Sequence, residues 1–200
     1  MLTTNKRAVL AEEMLTHASA NVTPHRLALV LAGVLVLTLS AKVVVPMWPV
    51  PMTMGTFAVL TLGAVYGPGL GLATIGVYIL CGALGLDVFA GSSATTSGLA
   101  YMAGPTGGYL AGYVLAVLTL GVAARAGWDR SPLRMGLALL AGNLVIYLPG
   151  VLWLGVLLGW DKPLLEWGLL PFLLGDVLKL GLAAFAVPLA WRVCGVLSSR

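Results

Sequence analysis

Residues 169–197 read LLPFLLGDVLKLGLAAFAVPLAWRVCGVL. A membrane-spanning helix needs roughly 20 predominantly apolar residues, because each advances only about 1.5 Å through a hydrocarbon layer about 30 Å thick. This run is longer than that and carries charge only at Asp176, Lys179 and Arg192. It reads as a membrane span, with Asp176 and Lys179 placed inside it.

Outward from this stretch the whole chain agrees. It has 200 residues, 60% hydrophobic and 9% charged, with a mean hydropathy of +1.00. An average soluble domain is roughly 45–50% apolar and about 25% charged. A cytosolic enzyme, a secreted domain and a disordered chain are excluded, because too little polar surface exists to cover a globule. Five further apolar runs precede the last one: Leu27–Val45, Thr53–Tyr66, Gly69–Leu86 after the Gly67-Pro68-Gly69 break, Gly107–Ala126 and Leu133–Gly159. The second is too short to cross upright and is expected to tilt or to lean on neighbouring protein. The expected fold is an all-α integral membrane protein, a bundle of six transmembrane helices over residues 27–197. Residues 1–26 are mixed polar and form an N-terminal segment, with residues 8–18 read as a short helix on the membrane surface. No Gly-x-x-x-x-Gly-Lys-Ser/Thr loop occurs, so any ATPase must be another chain.

The net charge of +4 does not argue for nucleic acid here, because Lys and Arg collect in cytoplasmic loops. With the N-terminus inside, the inner segments hold Lys6, Arg7, Arg26, Arg125, Arg130, Arg134, Arg192 and Arg200, and the outer ones only Lys42 and Lys162. Both termini are therefore expected in the cytoplasm. Cys81 and Cys194 fall at opposite ends of the bilayer and read as small apolar fillers.

This orientation brings three segments together in the outer half: the turn Pro46-Met47-Trp48-Pro49-Val50-Pro51-Met52-Thr53, the loop from Leu86 to Gly98, and the start of the last span. A charge inside a span is expensive and usually marks a site or pathway. Asp176 and Lys179 are spaced i, i+3 and share one helix face; a purely structural ion pair is the alternative. The Ser/Thr/Gly-rich loop is far longer than a minimal connection. Its hydroxyls and backbone N–H groups suit a carboxylate or a polar ring, and Phe89 and Tyr101 suit apolar walls. Trp48 reads as a lid edge or an interface anchor. Tyr147 and Trp153 lie on the fifth span; a mid-membrane phenol needs a partner. Asn143, deeper, reads as helix–helix glue. Small-residue stripes at Ala28 and Ala32, at Gly67 and Gly71, and at Gly104, Gly108 and Gly112 suit close helix packing. The first of these could instead serve a partner membrane protein.

Four ordered motifs carry a resemblance: Pro49-Val50-Pro51-Met52-Thr53, Gly85-Leu86-Asp87-Val88-Phe89-Ala90-Gly91, Gly104-Pro105-Thr106-Gly107-Gly108-Tyr109-Leu110 and Gly175-Asp176-Val177-Leu178-Lys179. Over residues 27–190 the chain resembles the BioY family, the biotin-binding S components of energy-coupling factor (ECF) vitamin transporters. The resemblance implies six helices holding biotin near the outer surface, and a multi-pass protein of the cytoplasmic membrane. It also implies partners: a transmembrane T component, contacted through small residues such as Ala28 and Ala32, and two ABC-type ATPases. The chain departs from the family pattern in having Gly55 where the first motif continues to Gln, and Asp87 where the second has Pro. It has no basic residue between Leu86 and Gly121, where some members place one to meet the ligand carboxylate.

An ionised Asp suits the two N–H donors of biotin's ureido ring, and an adjacent Lys suits its carbonyl. The expected substrate-binding set is Asp176 and Lys179 on the ureido ring, with Phe89, Tyr101, Tyr147 and Trp153 packed on rings and tail. Thr53 from the Pro-Val-Pro turn belongs to the same set, and Ser92, Ser93 and Thr95 would hold the carboxylate. The reversed pose, with Lys179 on the carboxylate, stays open. No catalytic residue, metal site or cofactor is expected, biotin being the transported ligand. Lipid surrounds the bundle, no nucleic acid partner is expected, and self-association is left open. The alternatives are an S component for a different vitamin and a solitary biotin transporter without a dedicated ATPase module. An intramembrane enzyme is disfavoured because no metal set can be assembled, and a channel because no polar stripe runs through the inner half.

Overall fold

The computed structural model describes residues 8–13, 22–92 and 96–198. Helix α1 covers Val22–Lys42. A two-stranded antiparallel ribbon follows, β1 at Val44–Val45 and β2 at Met52–Thr53, with Val44 opposite Thr53. The remaining elements are α2 at Gly55–Ala83, α3 at Gly98–Met102, α4 at Gly107–Arg125 and a 3-10 turn at Trp128–Arg130. Then come α5 at Pro132–Leu158, α6 at Leu164–Gly168 and α7 at Leu170–Ser198. Among the described residues, five helices are long and apolar enough to cross a membrane.

Two expected boundaries move, for local reasons. The first span was expected to run to Val45, but the helix stops at Lys42. Val44 and Val45 are β-branched and precede Pro46, whose ring disfavours helical backbone in the residue before it. The expected second and third spans lie within one helical stretch, α2, broken at Gly67, where φ is +71° and ψ −178°. That left-handed corner, followed by Pro68, folds the two halves of α2 back on each other. A Cβ on Gly71 would lie 3.8 Å from the Gly63 Cα, whereas eight residues of straight helix span about 12 Å. Gly67 is thus a turn residue rather than part of a packing stripe.

Packing is inverted relative to a water-soluble bundle. Leu27, Leu31, Leu35 and Leu39 on α1, and Leu174, Val177, Phe185 and Leu189 on α7, are exposed, while Thr74, Asn143, Asp176 and Lys179 are buried. Such an arrangement suits an apolar solvent, in which backbone polar groups must be satisfied within helices. Close approach supplies the packing that hydrophobic burial cannot supply in lipid. A Cβ on Gly112 would come 2.7 Å from the Ile146 backbone, and one on Gly121 2.4 Å from the Pro68 nitrogen. Helix α4 is therefore pressed against both α5 and the α2 corner.

At that corner the N-terminal segment is seated. Val9, Leu10 and Ala11 are buried, Glu12 pairs with Arg125 at 3.0 Å, and Arg130 reaches the Ala8 carbonyl at 3.5 Å. Residues 10–13 are helical; residues 14–18 of the expected surface helix lie outside the described residues. Nearby, the Trp191 indole donates to Asp129 at 2.5 Å, and the Arg130 guanidinium lies 4.4 Å above the Trp191 ring.

Candidate functional site

The opposite end of the bundle holds a cavity of about 680 Å³, open at its mouth. Its polar floor is built by α7. Asp176 and Lys179 stand one turn apart, both buried, with the ammonium 3.3 Å from the Asp176 Oδ1. The same ammonium donates to the Thr53 carbonyl at 2.8 Å and to Thr56 Oγ1 at 3.4 Å. Asp176 Oδ2 accepts from the Asn143 amide at 2.9 Å and from the Tyr147 hydroxyl in a short hydrogen bond. Both charges are therefore paired and hydrogen-bonded, the condition for keeping them in a low-dielectric interior. The cluster joins α7 to α5, to β2 and to the start of α2.

The walls are aromatic. Phe89 stacks on Tyr101 with centroids 5.1 Å apart and meets the Tyr78 ring edge-on at 5.3 Å. The phenols of these neighbours pin the loop backbone around Phe89: Tyr78 donates to the Val88 carbonyl at 3.1 Å, and Tyr101 to that of Ala90 at 2.6 Å. Tyr109 donates to Gly168 at 2.7 Å, tying α4 to α6, and its ring meets Tyr147, which in turn faces Phe172. Hydrogen bonds from the phenols of Tyr78, Tyr101 and Tyr109 to backbone carbonyls fix these rings in the cavity wall.

At the rim, Lys42 closes α1 onto the loop. Its ammonium donates to Asp87 Oδ1 at 2.5 Å and to the Phe89 carbonyl at 2.9 Å. Ser92 also donates to Asp87 Oδ1, and it reaches the Phe89 carbonyl at 2.9 Å. These two donors hold the Asp87 carboxyl below the usual carboxylate range. Trp48 is largely exposed and meets Trp167 edge-on at 4.9 Å, while Val50 and Pro51 of the same turn line the cavity.

The structure brings Asp176, Lys179, Phe89, Tyr101, Thr53 and Tyr147 around the cavity. Ser92 sits at the rim without lining it. Trp153 points elsewhere: its indole donates to the Gly104 carbonyl at 2.8 Å and holds the turn before α4. Ser93 and Thr95 lie outside the described residues. Ala28 and Ala32 fall on the exposed face of α1, remote from the cavity lining. Sequence reading did not single out Thr56, Tyr78, Tyr109 and Tyr113, all of which line the cavity. The rule that drew attention to Tyr147, that a phenol within a span needs a partner, applies equally to these tyrosines. Asn143 is helix–helix glue in the literal sense, but its partner is the site's own acid.

Known proteins resemble this arrangement. A family model described as the BioY family matches residues 14–195. The "Probable biotin transporter BioY" of Pyrococcus horikoshii is 40% identical over 158 residues, which cover 79% of this chain and 89% of that protein. The "Biotin transporter BioY" of Thermotoga maritima is 33% identical over 159 residues, 78% of this chain and 90% of that one. A solved structure described as the S-component for biotin from an ECF-type ABC transporter superposes with a TM-score of 0.71. It shares 21% identity and covers 87% of this chain and 94% of the other. At that identity the likeness establishes a shared fold.

Proposed function

We propose, from the premise that this chain belongs to the BioY family, that it binds biotin and mediates its uptake as the S component of an ECF-type transporter. It is a multi-pass membrane protein and a transporter subunit, not an enzyme. One observation carries the ligand assignment: a buried acid and a buried base share one helix face at the floor of an aromatic-walled cavity. An ionised carboxylate accepts hydrogen bonds and suits the two ureido N–H groups; the ammonium suits the ureido oxygen. The aromatic walls suit the fused ring.

In this reading the chain crosses the cytoplasmic membrane six times with both termini inside. Two observations support it: the reversal of α2 at Gly67, and in the sequence the count of eight Lys and Arg in the segments read as inner against two in those read as outer. Concentrative uptake needs a source of free energy that this chain lacks. A transmembrane T component with ABC-type ATPases supplies it, docked on the exposed α1 face that carries Ala28 and Ala32.

Equilibrium binding of radiolabelled biotin to the purified chain, with excess of other vitamins as competitors, tests the assignment. Saturable binding that only biotin displaces is the expected result. Displacement by another vitamin would reassign the ligand.

A further inference from the structure

The cavity floor leaves one end of an acidic ligand unaccounted for. Lys179 pairs with Asp176 at the buried floor and is assigned above to the ureido oxygen, so the acid end needs a second cation. Lys162 is paired with its neighbour Asp161 at 2.9 Å and does not line the cavity. Lys42 is different. It follows Ala41, which lines the cavity, and rests on the carbonyl of Phe89, which also lines it. Two of its three donors are engaged among the described residues.

The rim already holds a carboxylate. Lys42 and Ser92 converge on one oxygen of Asp87, a built acid-binding fork occupied by the chain's own side chain. Asp87 is two-thirds exposed and Lys42 more than one-third. Exchanging Asp87 for another carboxylate strips little water from either charge, whereas breaking the buried Asp176–Lys179 pair would strand a charge.

The two lysines are also connected through the ribbon. Lys179 is held by the Thr53 carbonyl; Thr53 is paired with Val44, two residues beyond Lys42. Lys42 is the last helical residue of α1 and Val43 is a bend, so the ammonium that holds Asp87 and the carbonyl that holds Lys179 are carried by the two ends of one short connection. A bicyclic head on Lys179 would direct its acid tail along this connection towards Lys42.

We propose that Lys42, assisted by Ser92, is the carboxylate-recognising end of the site, and that Asp87 is an internal competitor occupying it in the ligand-free chain. The proposal rests on the biotin reading above and adds the residue that selects for the free acid. It gives the two partners of one ion pair opposite effects on ligand preference.

The test compares biotin with biotinamide, which keeps the rings and loses the charge, by isothermal titration of the full chain in detergent. Wild type is expected to prefer biotin at least fivefold. Lys42→Met should abolish that preference, Lys42→Arg should keep it, and Asp87→Ala should widen it. Should Lys42→Met fail to fold, Lys42→Gln carries the same comparison. If both Lys42→Met and Asp87→Ala weaken the two ligands equally, the pair is only a loop clasp and the proposal is overturned. Equal affinity of wild type for acid and amide also overturns it, while leaving biotin recognition standing. A wild-type chain that binds neither compound overturns the biotin reading itself.

Discussion

The Asn143 amide on α5 donates to the Asp176 carboxylate on α7 across 2.9 Å in the bundle interior. The acid that faces the cavity is thus oriented from behind by a second helix. Tyr147, one turn along α5, takes the same oxygen, leaving Oδ1 to Lys179. A carboxylate held from three directions is preorganised, so a ligand does not meet the entropic cost of ordering it.

Asp176→Asn is expected to weaken biotin binding by at least tenfold, or about 1.4 kcal/mol. It also leaves Lys179 buried without a counter-charge, which lowers thermal stability. Asp176→Asn combined with Lys179→Met should recover the melting temperature but not the affinity. Isothermal titration and thermal unfolding in detergent separate the two effects. Full affinity in the single variant would remove Asp176 from the site.

Gly67→Ala places a side chain at φ +71° and against Val9, 2.9 Å from the new Cβ. This extended positive-φ region is essentially reserved for glycine and costs another residue on the order of 1–3 kcal/mol, and the contact adds to it. The variant should melt several degrees lower, and the loss should be smaller in a chain that also carries Val9→Ala. An unchanged melting temperature would be inconsistent with the corner that reverses α2.

Asp87 titrates below the usual carboxylate range because Lys42 and Ser92 donate to it. A depressed folded-state value means that the clasp contributes stability above the unfolded carboxylate pKa and loses it as pH falls through the folded one. The measurement is the pH dependence of the Asp87 carboxyl carbon shift by NMR in micelles. Lys42→Met should return the midpoint towards the ordinary range; no movement would show that the ion pair does not form in solution.

Ala32→Trp adds bulk to an exposed position on α1, away from the cavity. Biotin binding by the isolated chain should be unchanged, and ATP-dependent uptake by vesicles containing the complete transporter should be lost. Uptake at the wild-type rate would place the docking surface on another helix.

The membrane class, the six apolar runs and the pairing of Asp176 with Lys179 were legible from sequence, because each rests on a local property. Helix length against bilayer thickness and the cost of a charge in hydrocarbon need no knowledge of neighbours. The Gly67-Pro68-Gly69 break was legible for the same reason, since only glycine enters that backbone region freely. Tertiary structure decided which side chains face the cavity. A soluble helix marks its inner face with an apolar stripe, but lipid and bundle core are both apolar, so Tyr78, Tyr109 and Tyr113 carried no periodic mark that separated inside from outside. The same holds for Trp153, whose place on α5 suited the cavity but whose indole serves Gly104. Lys42 and Asp87, 45 residues apart, met only because the ribbon after α1 and the loop after α2 close on the same rim.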